Sequence, residues 1–322
     1  MQENLIATLR KLAFRELSRM YLPEEKLFVF HVRRSQSGLV YEGLSPRYTA
    51  ITLIGLAEEE ISVKEILGTH SAPDVMHHMV SDIDSVENLG DAALMLWAAK
   101  AIGYPNRGNI LERLIQLDPA ERSYPTVELA WTLDSLCLHE GSPSKLRATV
   151  AERVMSSFNP KVGLFPHVIG DGSGGMRSHV SCFADLVYPI HALSNYYKVA
   201  GDKKALEAAS ICSKKICDLQ GKDGQWWWHY DYRTGEVIEG YPVYAVHQDA
   251  MAPMALFALK EAGGPDLSEN IQKGLEWLYY SPEIDGSLID EENGVIWRKV
   301  ARKEPKKLTR TVQAAVSRVR LG

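Results

Sequence analysis

The sequence predicts a nearly all-α protein whose repeated helical hairpins close into an α/α toroid, with its function in the central pocket at one end of the ring. Three observations support this prediction: apolar segments that recur along the chain, amphipathic segments that alternate with them, and long loops between the two kinds. Because the long loops would surround one mouth of the ring, we expect the functional residues there.

The apolar segments are predicted to be the inner helices of the toroid. Five of them are apolar almost all round, as a helix that is buried on every side must be. They span residues 50–59, 93–103, 128–141, 188–201 and 253–263. Residues 308–319 are a candidate sixth inner helix.

The amphipathic segments are predicted to be the outer helices, which have one packed face and one solvated face. They span residues 4–21, 63–80, 109–117, 146–158, 205–219 and 269–280. The long loops are residues 31–48, 156–185, 219–249 and 281–299. No linker rich in Pro, Gly or Ser separates two halves, so residues 1–322 are predicted to form a single domain.

Composition limits the partners and the location of the protein. The chain has 322 residues, of which 45% are hydrophobic and 24% charged, and its formal net charge of −5 argues against a general nucleic-acid binder. The N-terminal segment lacks the uninterrupted apolar stretch of a signal peptide, and the four cysteines are few enough to be reduced thiols. We therefore expect a cytoplasmic protein without nucleic-acid partners.

Residues 301–322 are predicted to form a basic amphipathic terminal helix. Seven Lys or Arg residues stand there beside one Glu, and four apolar residues fall on one helical face, namely Leu308, Val312, Val316 and Val319. Such a helix either contacts an anionic membrane surface peripherally or packs its apolar stripe on the protein and leaves its charges in water.

An aromatic turn motif follows the fifth outer segment. Residues 220–226 read Gln-Gly-Lys-Asp-Gly-Gln-Trp, and residues 159–165 and 282–288 are degenerate relatives. The motif resembles the QW repeat of squalene/hopene-type terpenoid cyclases and the related repeat of protein prenyltransferase β subunits. The resemblance implies a structural role in which the glutamine caps the turn, the glycine permits a backbone angle that a β-carbon would forbid, and the tryptophan stacks on the neighbouring repeat.

The same resemblance implies an isoprenoid-processing enzyme with a central aromatic pocket. In the cyclases a D-x-D-D motif at the start of an inner helix supplies the general acid, and the nearest match here is Asn88-Leu89-Gly90-Asp91, in which Gly90 stands in the place of the acid. Two alternatives stay open. One is a carbohydrate-active α/α-toroid enzyme, a hydrolase, lyase or epimerase that uses Asp, His and Tyr for acid–base chemistry, and the other is a non-catalytic ligand-binding toroid.

The candidate catalytic residues lie in the loops that lead into the inner helices. Asp185 and Asp249 share the spacing D-x-x-x-P, which predicts a carboxylate near the start of each helix, where the helix dipole lowers its pKa unless burial outweighs the dipole. Asp231 lies among aromatic residues, which predicts a raised pKa. Three further acid–base candidates are His229, His247 and Tyr244.

The candidate substrate-binding residues provide an aromatic wall and positive charge. If alternate side chains face the pocket, Trp227, His229 and Asp231 share one side, and such walls either stabilise carbocations or stack on sugar rings. Arginines in the loops could bind an anionic group such as a diphosphate or a uronate. The whole binding set is Trp227, Tyr241, Arg47, Tyr48, Asp91, His167 and Arg177. The expected ligand is a small molecule or an oligosaccharide.

No cofactor and no metal ion are expected. His77 and His78 are adjacent on a helix and point to different faces, while Cys212 and Cys217 lack a second pair of ligands. The glycine-rich residues 170–175 fit neither a dinucleotide-binding nor a P-loop pattern.

Overall fold

The computed structural model of the chain describes residues 2–59, 63–171 and 175–301. The predicted terminal helix of residues 301–322 and the candidate inner helix of residues 308–319 lie outside this part of the chain, apart from Ala301. Peripheral membrane contact through that helix therefore stays a prediction. Among the described residues, none of the helices combines the length and the apolar character needed to cross a bilayer.

Twelve α-helices occur in the described residues, and they follow the predicted segments closely. They are α1 (Gln2–Met20), α2 (Pro46–Ala57), α3 (Lys64–Leu67), α4 (Ala72–Val80), α5 (Leu89–Ala101), α6 (Gly108–Gln116), α7 (Thr126–Leu138), α8 (Ser144–Ser157), α9 (Ala184–Ala200), α10 (Lys203–Asp218), α11 (Ala252–Glu261) and α12 (Ser268–Tyr280). The five clear inner helices are present as α2, α5, α7, α9 and α11. One predicted outer segment is divided at Gly68, whose φ of 63° ends α3.

Short β-strands occupy the long loops, and the sequence analysis did not predict them. They are β1 (Tyr21–Leu22), β2 (Leu27–Ser35), β3 (Gly38–Leu44), β4 (Tyr124–Pro125), β5 (Val168–Ile169), β6 (Val180–Cys182), β7 (His229–Asp231), β8 (Val237–Glu239), β9 (Val243–Tyr244), β10 (Ile289–Asp290), β11 (Val295–Ile296) and β12 (Lys299–Val300). Antiparallel pairing gives two three-stranded sheets, β1-β2-β3 and β6-β7-β8, and the pairs β4-β5, β9-β12 and β10-β11. Most of these strands are too short to show a two-residue periodicity in the sequence.

The chain divides into two compact units. The first comprises Glu3–Pro119 with Leu138–Ser142, and the second comprises residues 120–137 and 143–301. In the first unit α5 packs against α2 and α6, and in the second unit α9 packs against α10 and α11. The single domain expected over residues 1–322 stays a prediction.

The burial of α9 and α10 explains why their compositions differ. The inner helix α9 buries side chains on all sides between Asp185 and Tyr196, because it lies between two neighbouring helices. The outer helix α10 buries a single stripe, which includes Ala205, Ala209 and Cys212 at spacings of three and four residues. The first turn of α9 therefore places any polar side chain it contains in a dry environment.

The aromatic turn after α10 attaches this loop to α12. Gln220 Nε2 donates to the carbonyl oxygen of Gly224 at 2.7 Å. Gly224 has a φ of 99°, and a β-carbon at this position would overlap the carbonyl oxygen of Lys273 in α12. Trp226 is completely buried, with its ring centroid 5.7 Å from that of Phe183. The motif thus acts through packing between a loop and the next outer helix.

Gly224→Ala is expected to destabilise the protein by several kcal/mol. A positive φ alone costs an alanine about 1–2 kcal/mol, and the overlap with the Lys273 carbonyl forces the turn away from α12. Gly201 supplies the matched control, because its φ is 68° and open space surrounds its β-carbon position within the described part of the chain. Urea unfolding followed by circular dichroism should show a much larger loss for Gly224→Ala than for Gly201→Ala. Equal losses would contradict the close approach of the turn to α12.

Candidate active site

The β6-β7-β8 sheet aligns three polar side chains in one row. Cys182 on β6 pairs with His229 on β7, and His229 pairs with Glu239 on β8. Residues directly opposite each other on neighbouring strands project from the same face of a sheet. The thiol, the imidazole and the carboxylate therefore lie side by side, and His229 Nδ1 is 2.8 Å from Glu239 Oε2.

His167 and Asp185 form a second pair of imidazole and carboxylate. His167 Nδ1 is 2.8 Å from Asp185 Oδ2, and the backbone N–H of Cys182 donates to the same oxygen at 2.8 Å. The Asp185 side chain is completely buried, whereas the His167 side chain is 52% exposed. Because a carboxylate can only accept, Nδ1 carries the donated proton, and Nε2 is the ring atom left for exchange with a ligand. The hydrogen bond with Asp185 is the main cause of the raised pKa of His167.

Backbone hydrogen bonds hold the segments that contain this pair. The carbonyl oxygen of His167 accepts from the backbone N–H of Thr126 at the start of α7, at 2.9 Å. The backbone N–H of Phe183, which precedes α9, donates to the carbonyl oxygen of Trp228 at 2.8 Å. The start of α7 and the residue before β7 thus hold the segments that contain His167 and Asp185.

Arg177 couples the two imidazole–carboxylate pairs. Its Nη1 lies 3.1 Å from Glu239 Oε1, and its charge lowers the pKa of His167 against the larger effect of Asp185. Burial acts to raise the pKa of Glu239, but the hydrogen bonds and charges of His229 and Arg177 outweigh burial and hold this pKa below its ordinary value. Glu239 is therefore ionised at neutral pH, and the two pairs share one electrostatic environment.

Aromatic rings and cations border the row of side chains. Trp228 stacks on His229 with ring centroids 3.9 Å apart, and Tyr244 meets Trp228 edge-on at 5.1 Å. The charged groups of Arg298 and Lys299 lie 5.3 and 6.0 Å from the centre of the Tyr244 ring. This border combines flat apolar surface with positive charge, which suits a ring-shaped ligand that bears an anionic group.

Trp228, and not Trp227, provides the ring beside His229. The strand β7 begins at His229, so the alternation of a strand does not extend back to Trp227. The Trp227 ring instead packs 6.4 Å from that of Tyr241, and its Nε1 donates to a backbone oxygen at the end of α10. The binding roles expected for Trp227 and Tyr241 stay predictions.

Asp231 forms an ion pair within its own turn. The Arg233 guanidinium donates to both carboxylate oxygens of Asp231, at 3.0 and 2.7 Å. Burial acts to raise the pKa of Asp231, but the hydrogen bonds and charge of Arg233 outweigh it and lower the pKa. The aromatic residues around Asp231 led us to expect a raised pKa. The pKa is lowered instead, because Arg233, two residues further along the chain, is a cation that binds the carboxylate. The catalytic role of Asp231 stays a prediction.

One π-helical turn, His247–Met251, precedes α11 and contains two acid–base candidates. His247 is buried with its ring 4.6 Å from that of Phe183, and burial lowers its pKa to about 3. Asp249 is half-buried, and the loss of solvent raises the pKa of its carboxyl to about 7. Burial therefore outweighs the helix dipole at Asp249, and His247 is neutral at all physiological pH values.

The shared D-x-x-x-P spacing leads to two different helix starts. Pro253 lies in the first turn of α11, as the spacing predicts. Pro189 lies inside α9, because Asp185 is already in the first turn of that helix. The two aspartates consequently differ in their surroundings, and it is Asp185 whose carboxylate bonds to a histidine ring, that of His167.

Arg47, Tyr48 and Asp91 all lie in the first unit, where Arg47 binds Asp91. Arg47 Nε is 2.6 Å from Asp91 Oδ1, and Arg47 Nη2 donates to Asn88 Oδ1 at 2.9 Å. Tyr48 stacks on Phe30 with ring centroids 5.6 Å apart, and both rings are exposed. Arg47 thus has an acidic partner at the start of α5, and the expected binding of substrate by these three residues stays a prediction.

Sequence reasoning missed Cys182, Glu239 and Trp228. Cys182 and Glu239 become neighbours of His229 because their strands pair, although about 10 to 50 residues of chain separate them from it. A three-residue strand is too short for its periodicity to reveal such a pairing. One signal was available, because Cys182 stands three residues before Asp185 in the loop that leads into an inner helix. The ligand atoms of His167, Cys182 and Asp185 lie within 4.8 Å of one another, close enough to be considered as a metal-binding group.

Comparison with known proteins gives structural matches along nearly the whole chain. No family model and no curated protein matches it. An unsaturated glucuronyl hydrolase specific for heparin has a TM-score of 0.64 and 15% identity, over 99% of this chain and 97% of its own. A UGL variant with dGlcA-Glc-Rha-Glc has a TM-score of 0.64 and 11% identity, over 100% and 97%. The unsaturated glucuronyl hydrolase of Bacillus sp. GL1, responsible for the degradation of glycosaminoglycan, has a TM-score of 0.61 and 12% identity, over 100% and 97%.

These matches confirm the fold class and correct the family resemblance. The chain is an α/α toroid, as the sequence predicts. The assignment to terpenoid cyclases and protein prenyltransferases through the QW repeat is wrong, and so is the isoprenoid-processing function, because the matched toroids are glucuronyl hydrolases. The physical reason is that the turn at residues 220–226 packs a loop against a helix, which serves the fold and specifies no chemistry.

Asp249→Asn is expected to stabilise the protein, by an amount that grows between about pH 4 and pH 7 and is constant at higher pH. The pKa of about 7 in the folded protein lies above the ordinary value of 3.8, so the unfolded state loses its proton first as the pH rises. Once the unfolded state is ionised, the buried carboxyl of the folded state lowers the free energy of unfolding. The loss is at most ~4 kcal/mol above pH 7. Urea unfolding at several pH values measures the gain in the variant.

Asp231→Asn is the control with the opposite sign. In the wild-type protein the lowered pKa of Asp231 contributes stability above the pKa of the unfolded state. This contribution is lost as the pH falls through the pKa of the folded state. The variant should be less stable than the wild type at pH 8 and approach it at low pH. A loss of stability in Asp249→Asn at pH 8 would contradict the desolvation of that carboxyl.

Proposed function

We propose that this protein is a carbohydrate-active enzyme that hydrolyses the glycosidic bond of a uronate residue in an oligosaccharide by acid–base chemistry. The observation that carries the proposal is the pair of His167 and Asp185, an exposed imidazole bonded at 2.8 Å to a completely buried carboxylate. The fold is shared with hydrolases named for glucuronyl substrates, and this likeness supports the choice of substrate class.

His167 is the proposed proton donor. The raised pKa keeps the imidazole protonated at a higher pH than an isolated histidine, and Asp185 holds the ring in one orientation. The Nε2 proton passes to the glycosidic oxygen as the bond between that oxygen and the sugar carbon breaks. Asp185 keeps its charge throughout and stabilises the imidazolium form, as the buried carboxylate does in other histidine–carboxylate pairs.

The pair of His229 and Glu239 is proposed to activate the water. Glu239 is ionised and holds His229 Nδ1 at 2.8 Å, so the His229 ring can accept a proton while the water oxygen bonds to the sugar carbon. The side chains of His229 and Glu239 are 12% and 4% exposed, which limits competing solvent around them. Proton exchange with solvent then restores the starting states of His167 and His229.

The residues at the border of the site support a ligand that combines a sugar ring with a carboxylate. Trp228 and Tyr244 offer aromatic surface of the kind that stacks on sugar rings, and Arg298 is exposed beside Tyr244. Guanidinium groups bind carboxylates through paired hydrogen bonds. A uronate satisfies both features in one residue, since it has a pyranose ring and a negative charge.

The direct test is incubation with oligosaccharides that end in an unsaturated or a saturated glucuronyl residue, followed by mass spectrometry of the products. We expect release of the uronate sugar from at least one acidic series and no cleavage of neutral oligosaccharides of the same length. His167→Asn keeps an amide donor toward Asp185 but has no transferable proton. This variant should lose about 10²- to 10⁴-fold in kcat, with a much smaller change in KM.

His78→Asn serves as the matched control, because His78 is exposed on α4 in the first unit. It should keep the wild-type rate. If the folded wild-type protein cleaves none of the acidic oligosaccharides, or if His167→Asn keeps full kcat, the proposed function is wrong.

Asp185→Asn is expected to change the pH dependence of kcat as well as its size. The hydrogen bond and the negative charge of Asp185 raise the pKa of His167. Because His167 must be protonated to act as the acid, the rate falls as the pH rises through this pKa, and removing the carboxylate should move that fall to lower pH. A kcat profile measured from pH 4 to pH 9 gives the shift. An unmoved profile would exclude His167 as the titrating acid, whereas a merely structural role of Asp185 would lower the rate equally at every pH.

A further inference from the structure

Three side chains with metal-binding atoms converge at the start of α9. His167 comes from the segment before β5, Cys182 ends β6, and Asp185 lies in the first turn of α9. Their nitrogen, sulfur and oxygen atoms all lie within 4.8 Å of one another. Tetrahedral zinc, with bonds of about 2.0–2.3 Å, separates such ligand atoms by roughly 3.3–3.6 Å. Shifts of about 1 Å would therefore bring all three atoms onto one ion.

A second observation points to a cation at this place. Asp185 Oδ2 accepts hydrogen bonds from His167 and from the Cys182 backbone. Asp185 Oδ1 is also buried, and within the described part of the chain it accepts no hydrogen bond. An acceptor that is buried without a donor costs free energy, and for a charged group the cost is larger. A cation bound beside this carboxylate would remove that cost.

We infer that His167, Cys182 and Asp185 form a binding site for a thiophilic divalent cation of the Zn²⁺ type, with solvent in the fourth position. A thiolate and a carboxylate together balance the two charges of the ion, and a neutral imidazole completes a ligand set that Zn²⁺ accepts. On binding, the Cys182 thiol gives its proton to solvent as the sulfur–metal bond forms, and no group is oxidised or reduced. Mg²⁺ and Ca²⁺ prefer oxygen ligands only and do not suit a sulfur ligand.

The surroundings of the site permit an ion to enter. The half-exposed His167 ring lies at the solvent boundary and can swing toward an incoming ion. Arg177 is a cation close enough to lower the pKa of His167, but Glu239 pairs with it at 3.1 Å and offsets its charge. The buried Asp185 carboxylate lies beside the His167 ring and attracts the ion.

A bound ion would compete with the proton that His167 shares with Asp185. This consequence rests on the proposed function, in which His167 and Asp185 act as an acid pair. With the ion in place, the imidazole is held as a neutral ligand and has no acid proton to give. The cation is thus an inhibitor of the proposed reaction and not its cofactor.

The site is tested first by metal binding, without reference to turnover. Full-length protein is stripped with a chelator, kept reduced with a phosphine, and titrated with Co²⁺, whose bond to a thiolate produces a charge-transfer absorption in the near ultraviolet. We expect one equivalent of Co²⁺ to give this band and Zn²⁺ to displace it. Cys182→Ser should abolish the band and weaken Zn²⁺ binding at least about tenfold, whereas Cys217→Ser, a half-buried cysteine on α10 outside the group, should leave both unchanged.

The outcomes separate the metal site from the proposed function. An absent band, or a band that persists in Cys182→Ser, overturns the site even if the protein cleaves acidic oligosaccharides. A Cys182-dependent band in a protein that cleaves nothing keeps the site and removes the proposed function. If both hold, Zn²⁺ should inhibit the wild type reversibly, with a concentration for half inhibition that rises at least about tenfold in Cys182→Ser. Activation by Zn²⁺ would overturn its assignment as an inhibitor.

Discussion

Asp185 is a completely buried carboxylate in the second unit. A carboxylate without water has to be stabilised by hydrogen-bond donors and positive charge from the surrounding protein. The partners of Asp185 come from separate segments: the backbone of Cys182 at the end of β6, and the His167 ring from the loop before β5. The position of Asp185 in turn follows from α9, whose first turn is buried because the helix packs between α10 and α11. The chemistry of the site therefore depends on the layering of the helices.

The helices could be predicted because each has a repeated local signal. An inner helix such as α9 is apolar on all sides and an outer helix such as α10 only on one, and this difference is visible in any window of the sequence. The strands have no comparable signal. The pairing of β12 with β9 joins Lys299 to Tyr244, and two-residue strands are defined by such partners and not by their own composition.

Part of the candidate site follows from residue types that are visible in the sequence. His167, Arg177, Asp185 and His229 were identified from their residue types in long loops, and the structure brings them together. Glu239 and Cys182 were missed because strand register places them beside His229. The aromatic turn misled the family assignment, since its glutamine, glycine and tryptophan satisfy a packing need between the loop and α12 and specify no chemistry. Residue types thus indicated several side chains that meet at the candidate site, whereas the turn motif indicated the wrong family.

Arg298 and Lys299 stand late in the sequence, so they reach Tyr244 late in the synthesis of the chain. The ribosome has added His167 and Asp185 by the middle of the chain, and it adds His229 and Glu239 soon after. Arg298 and Lys299, by contrast, reach Tyr244 only when β12 can pair with β9, near the end of the described residues. A nascent chain that has emerged only as far as α12 therefore contains the groups proposed to transfer protons before it contains the charges proposed to retain an acidic sugar. In the proposed enzyme, the residues of the reaction are thus synthesised first and the residues of substrate selection last.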